Sequence, residues 1–266
     1  MEYLKFILYG LIQGSTEFIP VSSTAHLKII SLLFGIDDPG SSLSAIIQLG
    51  SVFAIFWYFR NDLFRFNKKI TKKIYKSFLY KKLLESILVG TIPFLFFGGI
   101  IKIYVPNFFY NNLRSNFLIA IVSILMAFFM FYAEISKNRL INLKNHNYLH
   151  SFLIGLAQAF AIIPGVSRSG ITISTALLTG WERRDAAKYS FLLGIPAISL
   201  AAFVEFFYSF NTFVSFSFFP LVAGLFSTFL SSLFAINFLV KYLSSHGMKI
   251  FIYYRLAFGI LILMNL

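Results

Sequence analysis

Apolar runs long enough to cross a bilayer as helices, about 20 residues each, recur along this chain at roughly 43–59, 84–103, 117–134, 187–208, 218–240 and 250–265. Inside lipid every backbone N–H and C=O must be satisfied by the chain itself, which admits helices or closed barrels. A barrel would show short segments of alternating polarity, and none is visible. Charged residues make up 12% of the chain, against roughly a quarter in soluble domains. The expectation is an all-α polytopic membrane protein, a single integral domain over residues 1–266, with about six transmembrane helices.

A net charge of +13 raises nucleic acid as a partner, but its distribution argues against one. Nine of the 23 basic residues lie between Arg60 and Lys82, in a short loop between two apolar runs. The positive-inside rule places that basic loop, about 60–82, in the cytoplasm, with membrane lipids as the partner of its charge. The 137–150 loop, Lys241, Lys249 and the cluster Arg183, Arg184 and Lys188 fall on the same side. Loops 35–42 and 209–217 carry no Lys or Arg and fall outside, as do both termini on the span count. The acidic turn Asp37-Asp38-Pro39-Gly40 belongs to the first of them. The chain has no cysteine, which excludes disulfides and thiol chemistry. No removable signal peptide is expected from the N-terminal residues.

Two stretches cannot be ordinary spans. Residues 10–30 and 155–175 each begin apolar, break at a proline (Pro20, Pro164) and continue with hydroxyl side chains. At an offset of 145, GLIQ (10–13) falls on GLAQ (155–158) and Val21-Ser22 on Val166-Ser167. Three full spans separate the copies, an odd number, so the two should point in opposite directions. The expectation is an inverted-topology repeat with halves about 1–135 and 136–266, each carrying one re-entrant helical hairpin. Interrupted helices of this kind place a polar site near mid-membrane with half-helix N-termini facing an anion.

The second break reads PGVSRSGIT, residues 164–172. An arginine in an apolar segment costs a few kcal/mol, so Arg168 either pairs internally with Glu17, snorkels, or grips phosphate oxygens with its fork. Ser167, Ser169 and Thr172 around it, with Gly165 and Gly170 allowing close backbone approach, favour the phosphate reading. Glu17 lies four residues after Gln13, on one helix face. It is either a protonated carboxyl bonded to Gln13 or a ligand, with Gln13 as a second donor, for Mg²⁺ or Ca²⁺ bridging a diphosphate. His26 lies within a turn of Ser22 and Ser23, the parts of a nucleophile with an acid–base partner. His146, His150 and His246 read as bystanders, and Glu134 and Glu205 as helix-end or packing charges.

The pair EFIPVSSTAH (17–26) and PGVSRSGIT (164–172) closely resembles the two signature motifs of the undecaprenyl-diphosphate phosphatase family, the bacitracin-resistance membrane proteins. The resemblance extends through IQLGSVFAIFWYF (47–59) and YYRLAFG (253–259). It implies a bacterial plasma-membrane phosphatase that takes the terminal phosphate from a C55 isoprenoid diphosphate and regenerates the carrier for cell-wall polymers. It also implies six spans with two inverted re-entrant hairpins, and activity dependent on a divalent cation. The functional residues it implies are Gln13, Glu17, Ser22, Ser23, Thr24 and His26, then Ser167, Arg168, Ser169 and Thr172. Position 13 is often glutamate in this motif, so Glu17 is inferred to carry the essential carboxylate here. Ala25 replaces a common glycine.

On this reading the diphosphate of the lipid substrate enters a cleft between the hairpins, opening on the external face. The nucleophile is left between Ser23 assisted by His26, His26 itself, and water activated by Glu17. The competing class is a transporter of lipid phosphate or anions on an inverted-repeat scaffold; the reactive His–Ser–Glu cluster favours the enzyme. The other membrane phosphatase superfamily requires a PSGH element, which is absent. Assembly as a homodimer is left open.

Overall fold

The computed structural model describes residues 2–36, 39–64, 73–104, 114–136, 138–208 and 216–265. Residues 65–72 of the basic loop, Asp37 and Asp38 of the acidic turn, and 209–215 of the last outer loop lie outside the described residues. The described residues are mostly helical, in α1 (Glu2–Phe18), α2 (Ser23–Phe34), α3 (Gly40–Phe64), α4 (Lys73–Tyr104), α5 (Asn116–Ile135), α6 (Tyr148–Ala159), α7 (Arg168–Leu178), α8 (Arg183–Tyr208), α9 (Phe218–Ser245) and α10 (Lys249–Met264). Each of the six apolar runs lies in one helix. Five of these, α3, α4, α5, α8 and α9, are long and apolar enough to span a bilayer; α10 has 16 residues. Large apolar side chains point outward, Phe53, Phe128, Phe203 and Phe234 being 60–73% exposed, as lipid rather than water requires. The chain is an all-α polytopic membrane protein.

The two broken stretches fold as helix–turn–helix units, and the prolines explain why. Proline lacks an N–H and disfavours helical backbone in the residue before it. Accordingly α1 stops at Phe18, two residues before Pro20, and α2 restarts at Ser23. In the second unit α6 passes through a 3₁₀ turn (Phe160–Ile162), and Ile163 is extended (φ −74°, ψ 120°) ahead of Pro164. Among the described residues the non-glycine positions with positive φ are Ser22 (φ 77°) and Ser167 (φ 69°), 145 apart in the chain. They immediately precede α2 and α7. A non-glycine residue held there costs about 1–3 kcal/mol and persists only where its surroundings over-determine it.

Glycines set how closely the helices approach. A Cβ on Gly10 in α1 would sit 2.4 Å from the Gly224 carbonyl of α9, and one on Gly155 in α6 would sit 2.0 Å from that of Gly90 in α4. Small residues allow such backbone contact where lipid offers no hydrophobic drive for association. Helices α5 and α10 pack against each other, and α7 is lodged between α5, α6 and α8.

Two polar networks mark opposite ends of the bundle. At one, Glu134 pairs with Arg183 and lies 3.7 Å from Arg139, while the amide of Leu143 donates to Asp185. His146 is buried there against Trp181, its Nε2 2.8 Å from Ser86 Oγ. At the other, Ser217 ahead of α9 donates to Glu2 at the start of α1. Arg139 and Arg183 thus share an end, and Glu2 lies with Ser217. Glu134 is a packing charge, as expected. His146, read as a loop bystander, takes no part in the cleft but is a core residue of that end.

Candidate active site

The two turns meet at a cleft of about 280 Å³. Its polar wall is the first turn of α2 (Ser22, Ser23, Thr24), the first residues of α7 (Ser167, Arg168) and Glu17 from the end of α1. Helix N-termini carry unpaired N–H groups and the positive end of the helix dipole, and here two of them converge. Ser22 leaves the start of α2 without a side-chain cap, whereas the Ser167 hydroxyl accepts from Gly170 N. The rest of the lining is largely apolar, including Phe94, Ile162 and Ile198.

Glu17, only 6% exposed, is held from three sides. Gln13 Nε2 donates to its Oε2 at 2.9 Å, and Ser23 Oγ donates to the same oxygen at 2.8 Å. Arg168 Nη2 pairs with Oε1 at 3.4 Å. An amide, a hydroxyl and a guanidinium thus converge on this one buried carboxyl. Arg168 Nη1 donates to the Ser190 carbonyl of α8 at 3.0 Å, and its buried Nε has no partner among the described residues. The guanidinium lies flat on α8 because position 194 is glycine: a Cβ there would fall 2.1 Å from Nη1. The internal ion pair and the phosphate grip, alternatives in the sequence, are therefore compatible. Arg168 is anchored by Glu17 and Ser190 while still lining the cleft.

Other expected site residues stand behind this wall. Ser169 Oγ donates to the Ile19 carbonyl of the first turn, and Thr172 bonds Arg168 O at 2.7 Å and Ser190 Oγ at 2.6 Å. Both are fully buried and brace the cleft. Gln13 likewise touches Glu17 without lining the cleft. His26 is turned away from the hydroxyls. Its Nδ1 lies 2.7 Å from the Ser22 carbonyl, which can only accept, so that nitrogen carries the proton. In the neutral ring Nε2 then accepts from Tyr254 Oη at 2.6 Å, and the ring stacks on Phe258. Among the described residues no hydrogen bond joins His26 to Ser23 or Glu17.

Two residues outside the two signature motifs, not named among the expected site residues, belong to this region. Gln48, a lone amide in the apolar run of α3, lines the cleft. Arg255, a lone cation in the apolar run of α10, is fully buried behind it. Polarity in the middle of an otherwise apolar helix was the available signal for both.

Among the described residues no three His, Asp or Glu side chains cluster as a metal cage. Glu17 with neighbouring hydroxyls fits a hard divalent cation only as a minor donor, with phosphate oxygens supplying most ligands.

Residues 6–261 match the family model described as bacitracin resistance protein BacA. The chain is 68% identical over its full length, and 97% of the relative's, to an undecaprenyl-diphosphatase of Prochlorococcus marinus strain AS9601. It is 67% identical over both full lengths to that of strain MIT 9215. To the undecaprenyl-diphosphatase of Trichodesmium erythraeum it is 47% identical, covering 100% of this chain and 86% of the relative.

Proposed function

This chain belongs to the bacitracin resistance protein BacA family, and from that premise and the geometry of the cleft we infer how it acts. It is an undecaprenyl-diphosphatase, a membrane hydrolase that cleaves a polyprenyl diphosphate to the monophosphate and inorganic phosphate. The observation that carries the chemistry is the hydrogen bond from Ser23 Oγ to Glu17 Oε2, formed where two helix N-termini and Arg168 converge.

Substrate phosphates enter the cleft against Arg168 and the N–H groups at the starts of α2 and α7, while the lipid tail leaves along the apolar wall. Ser23 Oγ attacks the terminal phosphorus as Glu17 takes its proton. The bond from phosphorus to the bridging oxygen breaks, and the lipid monophosphate departs with the electron pair. Glu17 passes its proton to the departing monophosphate; regenerated as a base, it takes a proton from the water that attacks the phosphoserine, and returns that proton to Ser23 Oγ as the P–Oγ bond breaks and phosphate is released. Preorganised positive groups offset the charge spread over the equatorial oxygens. Both ring nitrogens of His26 are engaged elsewhere, which supports Ser23 over His26 as nucleophile and gives His26 the task of holding the Ser22 carbonyl. Glu17 would hold a Mg²⁺ or Ca²⁺ ion together with substrate oxygens, and the ion would supply further charge neutralisation. Gln13 orients that carboxylate.

We place the cleft opening and both termini on the external face. This is supported by the basic residues gathered at the end of the bundle holding Glu134 and Arg183, away from Glu2 and Ser217.

The test is inorganic phosphate release from undecaprenyl diphosphate by the purified protein, with Mg²⁺ or Ca²⁺ and with EDTA. Cation-dependent release that is lost in Arg168→Ala and Glu17→Gln supports the mechanism. No release from folded protein would refute the phosphatase and favour lipid or anion transport.

A further inference from the structure

Arg255 has a demanding position. Its side chain is fully buried within α10, and it does not line the cleft. Among the described residues no carboxylate lies within ion-pair distance of it. Its three nitrogens each donate to a backbone carbonyl instead: Nη1 to Pro20 O at 3.3 Å, Nη2 to Gly165 O at 2.5 Å, and Nε to Ser123 O in α5 at 3.4 Å. Pro20 and Gly165 are 145 apart, the same offset as Ser22 and Ser167. One planar fork therefore holds the corresponding carbonyl of each turn, two residues before each strained serine.

We propose that Arg255 is a positioning residue that clamps the two turns to one another, fixing the gap between Ser23 on one and Arg168 on the other. Broken helices leave carbonyls without intrahelical partners, and a buried orphan acceptor is costly. A guanidinium offers five donors in a rigid plane and can serve several such acceptors at fixed spacing, which a lysine ammonium cannot. Burying a cation without a counterion is costly, a cost that packing alone does not require, since Leu or Met would fill the space. The donors from Arg255, the Ser169 hydroxyl on Ile19 O and His26 Nδ1 on Ser22 O together over-determine the first turn. That is the condition under which a positive φ at a serine survives.

The proposal rests on the phosphatase reading for its kinetic arm but not for its structural one. Arg255→Lys, which keeps the charge and loses the fork, and Arg255→Gln are purified beside the parent. Phosphate release is measured across substrate concentrations, and amide deuterium exchange is followed in peptides covering residues 17–24 and 162–168. The expected result is a fall in kcat of about 100-fold in both variants, the effect of roughly 1 Å of misplacement. KM stays within about threefold, and exchange rises in both turns while the α9 peptides are unchanged. Full kcat in Arg255→Lys would show that charge rather than the fork matters. A rise in KM alone would make Arg255 a substrate ligand. Unchanged exchange, or exchange raised at only one turn, also overturns the clamp. If a variant loses the parent's thermal stability, the other carries the comparison. If the parent itself releases no phosphate, the functional reading fails while the exchange arm still decides the clamp.

Discussion

Replacing Gly194 by alanine asks whether Arg168 is aimed by the side chain its neighbour lacks. A Cβ at this position would lie 2.1 Å from Arg168 Nη1 and 2.5 Å from Cζ, where ordinary contact begins at 3.4 Å. The guanidinium must therefore withdraw by about 1 Å, leaving the Ser190 carbonyl at 3.0 Å and the Glu17 carboxylate at 3.4 Å. Misplacing a catalytic group by that much costs about 100-fold in rate, roughly 2.7 kcal/mol of barrier. The fold should be spared, because the clash falls on the end of a flexible side chain and alanine favours the helix by about 1 kcal/mol. Gly194→Ala is expected to melt at or above the parent temperature with kcat/KM down about 100-fold. Phosphate release should be compared in Gly194→Ala, Arg168→Ala and the double variant. If position 194 acts only through Arg168, the double variant is no worse than Arg168→Ala. A further loss of about 100-fold in the double variant, or full activity in Gly194→Ala, would refute the reasoning.

Other consequences are open to measurement. Ser23→Ala should lose activity by about 1,000-fold or more and yield no phosphoserine on acid quenching, whereas a phosphohistidine at position 26 would reverse the assignment of the nucleophile. Gly155→Ala drives a Cβ to 2.0 Å from the Gly90 carbonyl, which is backbone and cannot swing aside. It should destabilise the protein by about 3 kcal/mol, while Gly99→Ala, which meets nothing within 4 Å, should not; melting curves in detergent compare them. His146 is held at a pKa of about 4, below its ordinary 6.5, by burial first and then by Lys82. The unfolded chain takes up that proton more readily, so its contribution to stability is full above pH 6.5 and is lost as pH falls through 4. Melting temperature should decline over that window and decline less in His146→Gln. Glu134→Ala strands Arg139 and Arg183 and should cost about 3 kcal/mol, seen as a lowered melting temperature with kcat retained.

What the sequence determined by itself is considerable. Apolar runs of bilayer length specify membrane helices because lipid offers the backbone no hydrogen bonds, and each of the six runs falls on one helix, α4 starting at Lys73, well ahead of its run. Pro20 and Pro164 locate the breaks because each removes a ladder N–H just ahead of clustered hydroxyl residues, whereas Pro93 and Pro196, followed by mostly apolar residues, stay inside α4 and α8. The polar residues around those breaks name the cleft, since side chains such as Glu17 and Arg168 are too costly in apolar segments to be there by default. Which of them line the cleft was decided only by the tertiary structure. Ser169, Thr172 and His26 sit in the same motifs as Ser23 and Arg168, yet they face a carbonyl, a helix and a tyrosine rather than the cleft. Which way a side chain points at a turn depends on the backbone dihedrals of Ser22 and Ser167 and on what is packed behind them, and neither is encoded in motif spacing. Arg255, more than 200 residues along the chain from Ser22, enters the site region only because α10 folds back against α5. Contacts between positions so distant in sequence have no local signature, and for that reason the bracing of the cleft became visible only in three dimensions.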